Sequence, residues 1–315
     1  MCKVLSIILA GGQGTRLRPL TEKYAKPALP FVRRRRIIDF VLSNLWHSDF
    51  HQIMVLAQYQ AASLVNYLQQ EWQQRFSQRG FLHCITAPAQ LNHGTAGAVA
   101  AQLSVIRDYR PDVIAILSAD HIYKMDYRQM LAFHLVQQTD VTVAAVKVPS
   151  SLAHQFGVLK TNSALQISEF SEKPTAAAAL GFTQSNAVLA SMGNYLFSAT
   201  ALYQILDQLE PDVACDFGHD IIPALVAQGS ASAYPFHHNT LPGKQSLDGY
   251  WRDVGTLASL FHSKLDVMQH EDWLDSPLQS WPILSGCSKP SLSSKTFRRL
   301  KKMCQPVVPF YASLQ

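Results

Sequence analysis

The sequence predicts an α/β fold: a mostly parallel mixed sheet with helices on both faces, in a Rossmann-like three-layer αβα arrangement. Short apolar runs rich in branched residues alternate with stretches of helical periodicity through the first half of the chain. Two of these runs end in residues suited to a binding site, the first in Gly11 and Gly12 and a later one in Asp120. Of the 315 residues, 48% are hydrophobic and 16% are charged, which supplies a large core and argues against global disorder.

The first half of the chain is organised as successive βαβ units. Its first strand is Val4–Ala10, which is short, apolar and followed by two glycines. The later strands are predicted at 53–57, 81–86, 112–120 and 141–148. The helices are predicted at 36–50, 63–76, 96–105 and 127–137. Because strands that alternate with helices pair in parallel, this order predicts a mostly parallel sheet.

The second half changes in style after Pro149. A hairpin, a strand and two helices are predicted there, at 157–170, 191–197, 201–208 and 217–229. From about Pro277 the sequence is rich in serine and then basic, and it shows no hexapeptide repeat. We therefore predict one large domain, 1–276, and an atypical tail, 277–315, that is truncated or poorly ordered.

Cysteine usage and the distribution of apolar residues predict a cytoplasmic protein. The five cysteines include no C-x-x-C pair, which argues against a disulfide framework and against a zinc ribbon. The N-terminus lacks the pattern of a signal peptide, and no apolar run reaches the ~18 residues of a membrane span. The net charge of +5 fits anionic small molecules as well as nucleic acid and does not choose between them.

The loop after the first strand, with the sequence GGQGTR, is a candidate anion site. Glycines at the carboxyl end of a parallel strand let phosphate oxygens approach backbone N–H groups. Two common phosphate loops are excluded, because no P-loop lysine follows Gly14 and Leu17 stands where a dinucleotide fingerprint has its third glycine. A simple tight turn is the alternative interpretation. The nearby cations Arg16 and Lys26 favour an anion site, since a turn does not need them.

The stretch LAGGQGTRLRPLTEKYAKPALPF, at 9–31, resembles the signature of the sugar-1-phosphate nucleotidyltransferase family. Eight later motifs are similar to those of its bacterial glucose-1-phosphate adenylyltransferase branch. In chain order they are RIIDFVLSN, QYQ, GTAGAV, SADHIYKMDY, EFSEKP, SMGNYLF, DFGHDIIP and YWRDVGT. Nine motifs in family order are far more specific than any one of them, and the resemblance covers roughly residues 3–283.

The resemblance implies a nucleotidyltransferase that uses ATP and glucose 1-phosphate to make ADP-glucose and pyrophosphate, for glycogen and α-glucan biosynthesis. It implies Mg²⁺ as the cofactor, with Asp120 and Asp253 as ligands, and it implies Arg16, Lys26 and Asp120 as catalytic residues. The implied nucleotide-binding residues are Leu9, Gly11, Gly12, Gly14, Thr15, Gln90, Gly94 and Thr95. The implied sugar-phosphate-binding residues are Gly157, Glu172, Lys173, Ser191, Gly193 and Asp216.

The residue types in these motifs suit that chemistry. The attacking group is a phosphate oxygen that is already ionised at neutral pH, so no general base is required. The difficulty is to bring two polyanions together and to neutralise the reacting phosphoryl group. Glycine amides, Arg and Lys side chains and a divalent ion meet that need, and no Ser-His-Asp or Cys-His arrangement is predicted.

Several positions depart from the family pattern. Gly97 stands where a polar residue is usual, the segment 91–93 is short, and His219 replaces a common lysine. The run FVRRRR replaces a turn that contains glycine. Its residues Arg33, Arg34 and Arg36 form either an anionic effector site or a solvated turn. Nucleic acid is not expected as a partner, because no basic surface interleaved with aromatic residues accompanies the run.

The C-terminal part also departs from the pattern. Relatives continue into a left-handed β-helix, whereas we expect none here, because the tail is short and lacks the repeat. Two other functions therefore stay open beside the adenylyltransferase. One is a catalytically weak regulatory paralogue that binds nucleotide or sugar phosphate in a homo- or hetero-oligomer. The other is a thymidylyl- or uridylyltransferase.

Overall fold

The computed structural model describes residues 2–87, 94–183, 186–210, 213–243, 247, 249–270, 272–275 and 281–285. The strands are β1 Val4–Ala10, β2 Gln52–Ala57, β3 Phe81–Thr86, β4 Val113–Ser118, β5 His121–Tyr123, β6 Val141–Pro149, β7 Gly157–Thr161, β8 Ile167–Glu172, β9 Ala187–Ser198, β10 Ala231–Pro235 and β11 Trp251–Asp253. The helices are α1 Ile38–His47, α2 Ala61–Glu71, α3 Gln73–Phe76, α4 Gly94–Ala100, α5 Leu103–Asp108, α6 Tyr127–Gln137, α7 Ala176–Ala179, α8 Ala199–Leu206, α9 Ile222–Ala227, α10 Leu257–Gln269 and α11 Asp272–Asp275.

Nine of the described strands form one mixed sheet, and its main path runs β10-β6-β9-β4-β1-β2-β3. Strands β4, β1, β2 and β3 are parallel neighbours, and β10 is parallel to β6. The long strand β9 runs antiparallel to both β4 and β6 and joins the two parallel groups. The hairpin β7–β8 attaches to β9. The predicted α/β fold with a mostly parallel mixed sheet is confirmed.

Helices cover both faces of this sheet, which explains why its central strands are continuous apolar runs. In β1, Ile8 packs in a cluster with α1, α2 and α6, whereas Ile7 packs on the opposite face with α4, α5, α8 and α9. Both side chains are fully buried. A strand buried on both faces shows no alternation of polar and apolar residues. The three layers expected from the sequence are therefore present.

Several observed elements differ from their predicted bounds. The predicted helix 63–76 is divided at Trp72 into α2 and α3, and Trp72 donates its indole N–H to the buried carboxylate of Asp39. The predicted helix 96–105 is likewise two short helices. Strands β5, β10 and β11 and helix α10 were not predicted. Strands β5 and β11 have three residues each and, among the described strands, pair only with each other, so their sequences carry little periodicity.

The stretch 281–285 packs against α1 of the large domain. Trp281 Nε1 donates to Asn44 Oδ1 at 3.2 Å, and the backbone N–H of Leu284 donates to Ser43 Oγ at 2.8 Å. The rest of the predicted tail, 277–280 and 286–315, lies outside the described residues. The expectation that the tail forms no β-helix concerns these same residues. The domain boundary after residue 276 stays a prediction. Among the helices described here, none has both the length and the apolar composition needed to cross a bilayer.

Candidate active site

The glycine loop lies at the carboxyl end of β1, between the ends of β2 and β4. In an open parallel sheet, ligands bind in the crevice at this edge. Gly14 has a φ of 62° and accepts hydrogen bonds at its carbonyl oxygen from Leu17 N (2.9 Å) and Thr21 Oγ1 (2.8 Å). A Cβ on Gly14 would come within 2.8 Å of Thr21 Cγ2, so this turn requires glycine.

The other loop residues predicted to bind nucleotide surround this turn. Leu9 lies near the end of β1 and is half-buried, whereas Gly12 and Thr15 are exposed. A Cβ on Gly11 would lie 3.5 Å from Gln58 Oε1, which places the loop beside the residue that follows β2. The predicted adenine contact Gln90 lies outside the described residues.

Three charged side chains from distant parts of the chain meet beside the loop. Lys26 Nζ lies 2.6 Å from Asp120 Oδ2 and 3.5 Å from Asp253 Oδ1. Asp120 lies between β4 and β5, and Asp253 ends β11. Strands β5 and β11 pair antiparallel with His121 opposite Asp253, and this pairing brings the two aspartates together.

Burial and charge determine the protonation of this cluster. Burial alone would lower the pKa of Lys26, but Asp120 and Asp253 outweigh it and raise that pKa above its ordinary value. Burial would likewise raise the pKa of Asp120, but Lys26 and then His121 outweigh it. Together with hydrogen bonds from Lys26 and Ser118, they hold the pKa of Asp120 well below its ordinary range. Lys26 and Asp120 are therefore both charged at neutral pH.

His121 belongs to the same cluster, although sequence analysis did not select it. Its Nε2 lies 3.4 Å from Asp120 Oδ1 and 3.9 Å from Asp253 Oδ1. The three residues each offer a ligand atom within 4.8 Å of the others. Two carboxylates and an imidazole suit a divalent ion. The signal available in the sequence was the position of His121 directly after a carboxylate at a strand end.

Arg16 and Asp253 both lie beside Gly255. A Cβ placed on Gly255 would be 2.9 Å from Asp253 Oδ2 and 3.2 Å from Arg16 Nη2. The absence of a side chain on Gly255 therefore leaves room for both the Arg16 guanidinium and the Asp253 carboxylate. Arg16 is exposed, so its charge is accessible to solvent rather than buried in the core.

The predicted sugar-phosphate segment on β9 begins beside this cluster. A Cβ on Gly193 would lie 3.5 Å from His121 Cε1 and 3.7 Å from Ser118 Cβ. The hydroxyl of Ser191 is buried and accepts a hydrogen bond from Gly193 N at 3.1 Å. The turn at Gly193 is thereby held against the end of β4.

Lys173 and Glu172 form the next part of the same surface. Lys173 Nζ lies 3.1 Å from Glu172 Oε1, and the lysine side chain is 63% exposed whereas the glutamate is 23% exposed. The backbone N–H of Lys173 donates to Phe156 O at 3.0 Å, and the Phe156 ring packs edge-on against Trp251 of β11 at 5.4 Å. Lys173 is therefore the accessible cation of this pair, and it is joined to the strand that ends in Asp253.

The Glu172 carboxylate is enclosed by two glycines. A Cβ on Gly157 would approach Glu172 Oε2 to 2.6 Å, and a Cβ on Gly218 would approach it to 2.8 Å. Gly218 belongs to the segment that carries Asp216, so Asp216 lies on the same side of the site. Asp216 also contacts Thr95, which was predicted to bind the nucleotide: its Oδ1 accepts from Thr95 N and from Thr95 Oγ1, each at 2.8 Å.

The arginines predicted as an effector site fall into different environments. Arg33 and Arg34 are exposed, with φ of 48° and 68°. Arg36 is half-buried: its guanidinium stacks over the Tyr67 ring at 4.1 Å and donates to Ala28 O at 2.8 Å. Arg36 thus makes contacts that stabilise the domain, whereas Arg33 and Arg34 lie at the surface.

Comparison with known proteins agrees with this geometry. The model of the nucleotidyl transferase family matches residues 5–270. A glucose-1-phosphate adenylyltransferase from Leifsonia xyli is 42% identical over 292 residues, covering 90% of this chain and 70% of the relative. The enzyme of that name from Deinococcus radiodurans is 40% identical over 296 residues, covering 89% and 71%. The one from Corynebacterium diphtheriae is 42% identical over 291 residues, covering 90% and 67%. The chain belongs to the nucleotidyl transferase family.

Proposed function

We propose that the chain transfers the adenylyl group of ATP to glucose 1-phosphate, giving ADP-glucose and pyrophosphate for α-glucan (glycogen) biosynthesis. The observation that carries this proposal is the cluster of Lys26, Asp120 and Asp253 beside a glycine loop, at the sheet edge where parallel-sheet proteins bind nucleotides. The names of the relatives, all glucose-1-phosphate adenylyltransferases, support the choice of substrates.

The reaction needs electrostatic stabilisation rather than proton transfer. An ionised phosphate oxygen of glucose 1-phosphate attacks the α-phosphorus of ATP and forms the new P–O bond. The bond between the α-phosphorus and the bridging oxygen breaks, and pyrophosphate leaves with that electron pair. No proton has to move in this step, so the site must hold two polyanions in line and offset their charge.

Lys26 and Arg16 are the cations that we propose to act on the triphosphate. Lys26 is held by two carboxylates and by burial, so its ammonium has a fixed position at the end of β1. Arg16 is exposed and can follow the β- and γ-phosphates as they depart. The exposed amide groups around Gly12 offer hydrogen-bond donors to the same phosphates.

A divalent ion is typical of this chemistry, and the donor set of Asp120, His121 and Asp253 fits one. We propose Mg²⁺, which when bound offsets phosphate charge in the transition state. The chain's own contribution is to keep Asp120 ionised next to Lys26, whose ammonium holds the pKa of that carboxyl below its ordinary range. The backbone pairing of β5 with β11 fixes the separation of the two carboxylates.

Lys173 is the cation that we propose to hold the phosphate of glucose 1-phosphate. Its side chain is accessible, and its backbone is hydrogen-bonded to Phe156. We propose that Glu172 and Ser191 accept hydrogen bonds from sugar hydroxyls. Glu172 is held between Gly157 and Gly218, so its carboxylate has little freedom to turn away.

We further propose that Arg33 and Arg34 bind an anionic sugar-phosphate effector and that the chain acts as an oligomer. Two adjacent exposed arginines suit a phosphate group, whereas Arg36 stabilises the turn on which they lie. A bisphosphate sugar that activates the wild-type enzyme, but not an Arg34→Ala variant, would support this. Equal activation of both proteins would contradict it.

The function is tested by pyrophosphate release with a panel of nucleotides. Purified protein is given glucose 1-phosphate, Mg²⁺ and one of ATP, UTP or dTTP at equal concentration. We expect release with ATP and at least about tenfold less with the others. The proposal fails if ATP yields no pyrophosphate at high protein concentration. A preference for UTP or dTTP would overturn the choice of base while leaving the reaction class intact.

A further inference from the structure

We propose that Asp216 couples the two substrate sites. Its Oδ1 holds the start of α4, which lies on the nucleotide side, and its Oδ2 faces the site of the sugar phosphate. The binding of one substrate would then raise the affinity for the other. This inference rests on the proposed function, because it uses the same two substrates. Asp216 and Thr95 act as positioning residues for the nucleotide in this scheme.

The contact between Thr95 and Asp216 is reciprocal. Asp216 Oδ1 accepts from Thr95 N and from Thr95 Oγ1, and Thr95 Oγ1 accepts from the backbone N–H of Phe217 at 3.0 Å. The first turn of a helix has N–H groups without partners inside the helix, and Asp216 satisfies one of them with a charged acceptor. Thr95 and Asp216 lie 121 positions apart in sequence, so this cap joins two distant segments.

Backbone contacts hold the same two segments together. The carbonyl oxygen of Cys215 accepts from Ala96 N at 2.9 Å and from Gly97 N at 3.2 Å. Gly94 has a φ of 70°, and a Cβ there would lie 2.3 Å from that carbonyl oxygen. The start of α4 therefore follows any displacement of residues 215–217.

Asp216 also belongs to the sugar side of the site. Gly218, two residues later, lies against the Glu172 carboxylate. Burial raises the pKa of Tyr195 to about 12, and the nearby charges of Glu172 and Asp216 add to that rise, so both carboxylates lie close to the same ring. Asp216 is exposed, and the hydrogen bonds from Thr95 all go to Oδ1. Oδ2 is therefore the atom placed to accept a sugar hydroxyl.

Because one oxygen of Asp216 holds Thr95 and the other is available to the sugar, we expect positive cooperativity between the substrates. A hydroxyl bound at Oδ2 restrains rotation of the carboxylate, which in turn restrains Thr95 and the first turn of α4. The nucleotide then binds to a segment that is already ordered. Coupling between ligand sites of this kind typically changes affinity by 5- to 150-fold, and it is reciprocal.

The coupling factor can be measured by calorimetry with α,β-methylene-ATP, which cannot undergo transfer at the α-phosphorus. Its Kd is determined with Mg²⁺, with and without saturating glucose 1-phosphate, and the ratio is the coupling factor. We expect a ratio of about five or more for the wild type. We expect Thr95→Val to reduce the ratio by about threefold or more, because it removes the hydroxyl and keeps the shape. The Kd for glucose 1-phosphate alone should stay within about twofold.

Two further variants separate positioning from general damage. Thr95→Ser keeps the hydroxyl and should restore the ratio. Thr139→Val removes a buried hydroxyl that hydrogen-bonds to Ser232 at 2.9 Å, just before β6 and so at the opposite edge of the sheet. This control should leave the ratio unchanged. A loss of coupling in Thr139→Val as large as in Thr95→Val would show that destabilisation, not positioning, is responsible.

The outcomes distinguish this inference from the proposed function. If the wild type binds both ligands with a ratio near one, the coupling is wrong and the proposed function stands. If Thr95→Val keeps the wild-type ratio while binding both ligands, the substrates are coupled but the positioning role of Thr95 is wrong. If the wild type binds neither ligand, both proposals fail. Should Thr95→Val not fold, Thr95→Ala and Asp216→Ala provide the same comparison, and Asp216→Ala should in addition weaken the binding of glucose 1-phosphate.

Discussion

Replacing Lys26 by methionine should destabilise the protein, and by more at neutral than at mildly acidic pH. The substitution leaves Asp120 and Asp253 without the ammonium that lies 2.6 Å and 3.5 Å from their oxygens. Removing one partner of a buried ion pair costs about 3–5 kcal/mol. The two carboxylates are 28% and 21% exposed, so water offsets part of the loss and we expect about 3 kcal/mol at pH 7.5.

The pH dependence follows from the pKa of Asp120. In the wild type the folded-state pKa lies below the unfolded value of about 3.9, so this group adds stability above that pH and loses it as the pH falls through the folded value. Without the Lys26 ammonium, less positive charge offsets the burial of Asp120, so the folded-state pKa of Asp120 rises. The ionised carboxylate then costs stability, and the cost grows as the pH rises through the raised folded value. The difference between variant and wild type is therefore larger at pH 7.5 than at pH 5.

The assay is thermal unfolding of both proteins at pH 5 and pH 7.5. For a chain of this size about 1 kcal/mol changes Tm by about 2 °C, so we expect a loss of about 6 °C at pH 7.5 and a clearly smaller loss at pH 5. Lys173→Met is the matched control, because the Lys173 side chain is 63% exposed and its ion pair among the described residues is with Glu172. Exposed pairs contribute about 0–1 kcal/mol, so its Tm should fall by no more than about 2 °C. Equal losses for Lys26→Met at both pH values would refute the reasoning.

Three other substitutions test further parts of the structure. Asp253→Asn should weaken Mn²⁺ binding, followed by electron paramagnetic resonance, by about tenfold or more, and unchanged binding would remove Asp253 from the metal site. Gly94→Ala should lower Tm by about 4–8 °C, because Gly94 has a positive φ and a Cβ there would lie 2.3 Å from the Cys215 carbonyl oxygen. A Tm within about 1–2 °C of the wild-type value would contradict this. Burial raises the pKa of Asp39 to about 6. The free energy of unfolding of the wild type should therefore fall by about 3 kcal/mol between pH 4 and pH 7, whereas that of Asp39→Asn should not show this fall. Urea unfolding across that range measures the difference, and parallel pH profiles would show that Asp39 does not titrate as expected.

The sequence was sufficient for the parts of the fold that depend on local pattern. Strands such as β1 are continuous apolar runs because both of their faces are covered. Such a run can be recognised in the sequence without knowing which elements cover it. The pair β5–β11 was not predicted, because each strand has three residues and is defined only by its partner far along the chain. The division of the predicted helix 63–76 at Trp72 depends on a hydrogen bond to Asp39, which no local pattern encodes.

The sequence motifs selected residues that the fold brings together, but they did not give the contacts between those residues. Lys26, Asp120 and Asp253 were each selected from their motifs, and the fold brings them together. His121 was missed, because its relation to Asp253 exists only through the pairing of β5 with β11. Thr95 was predicted to bind the nucleotide, and its contact with Asp216, which was predicted to bind the sugar phosphate, was not predicted. A sequence motif gives the type of residue and its neighbours along the chain, but not the partner that folding places against it.

We expect the ionic cluster at the end of β1 to contribute to stability as well as to the proposed reaction, so substitutions in it call for measurements of metal binding and of Tm beside activity. Lys26, Asp120 and Asp253 join three segments that are far apart in sequence, and each charge offsets the burial cost of another. Loss of activity in Asp120→Asn would therefore be explained equally by loss of a metal ligand and by release of Lys26 from its position. Direct measurement of metal binding distinguishes the two, because a released lysine leaves His121 and Asp253 in place. Only a variant that loses metal affinity while keeping its Tm identifies a ligand.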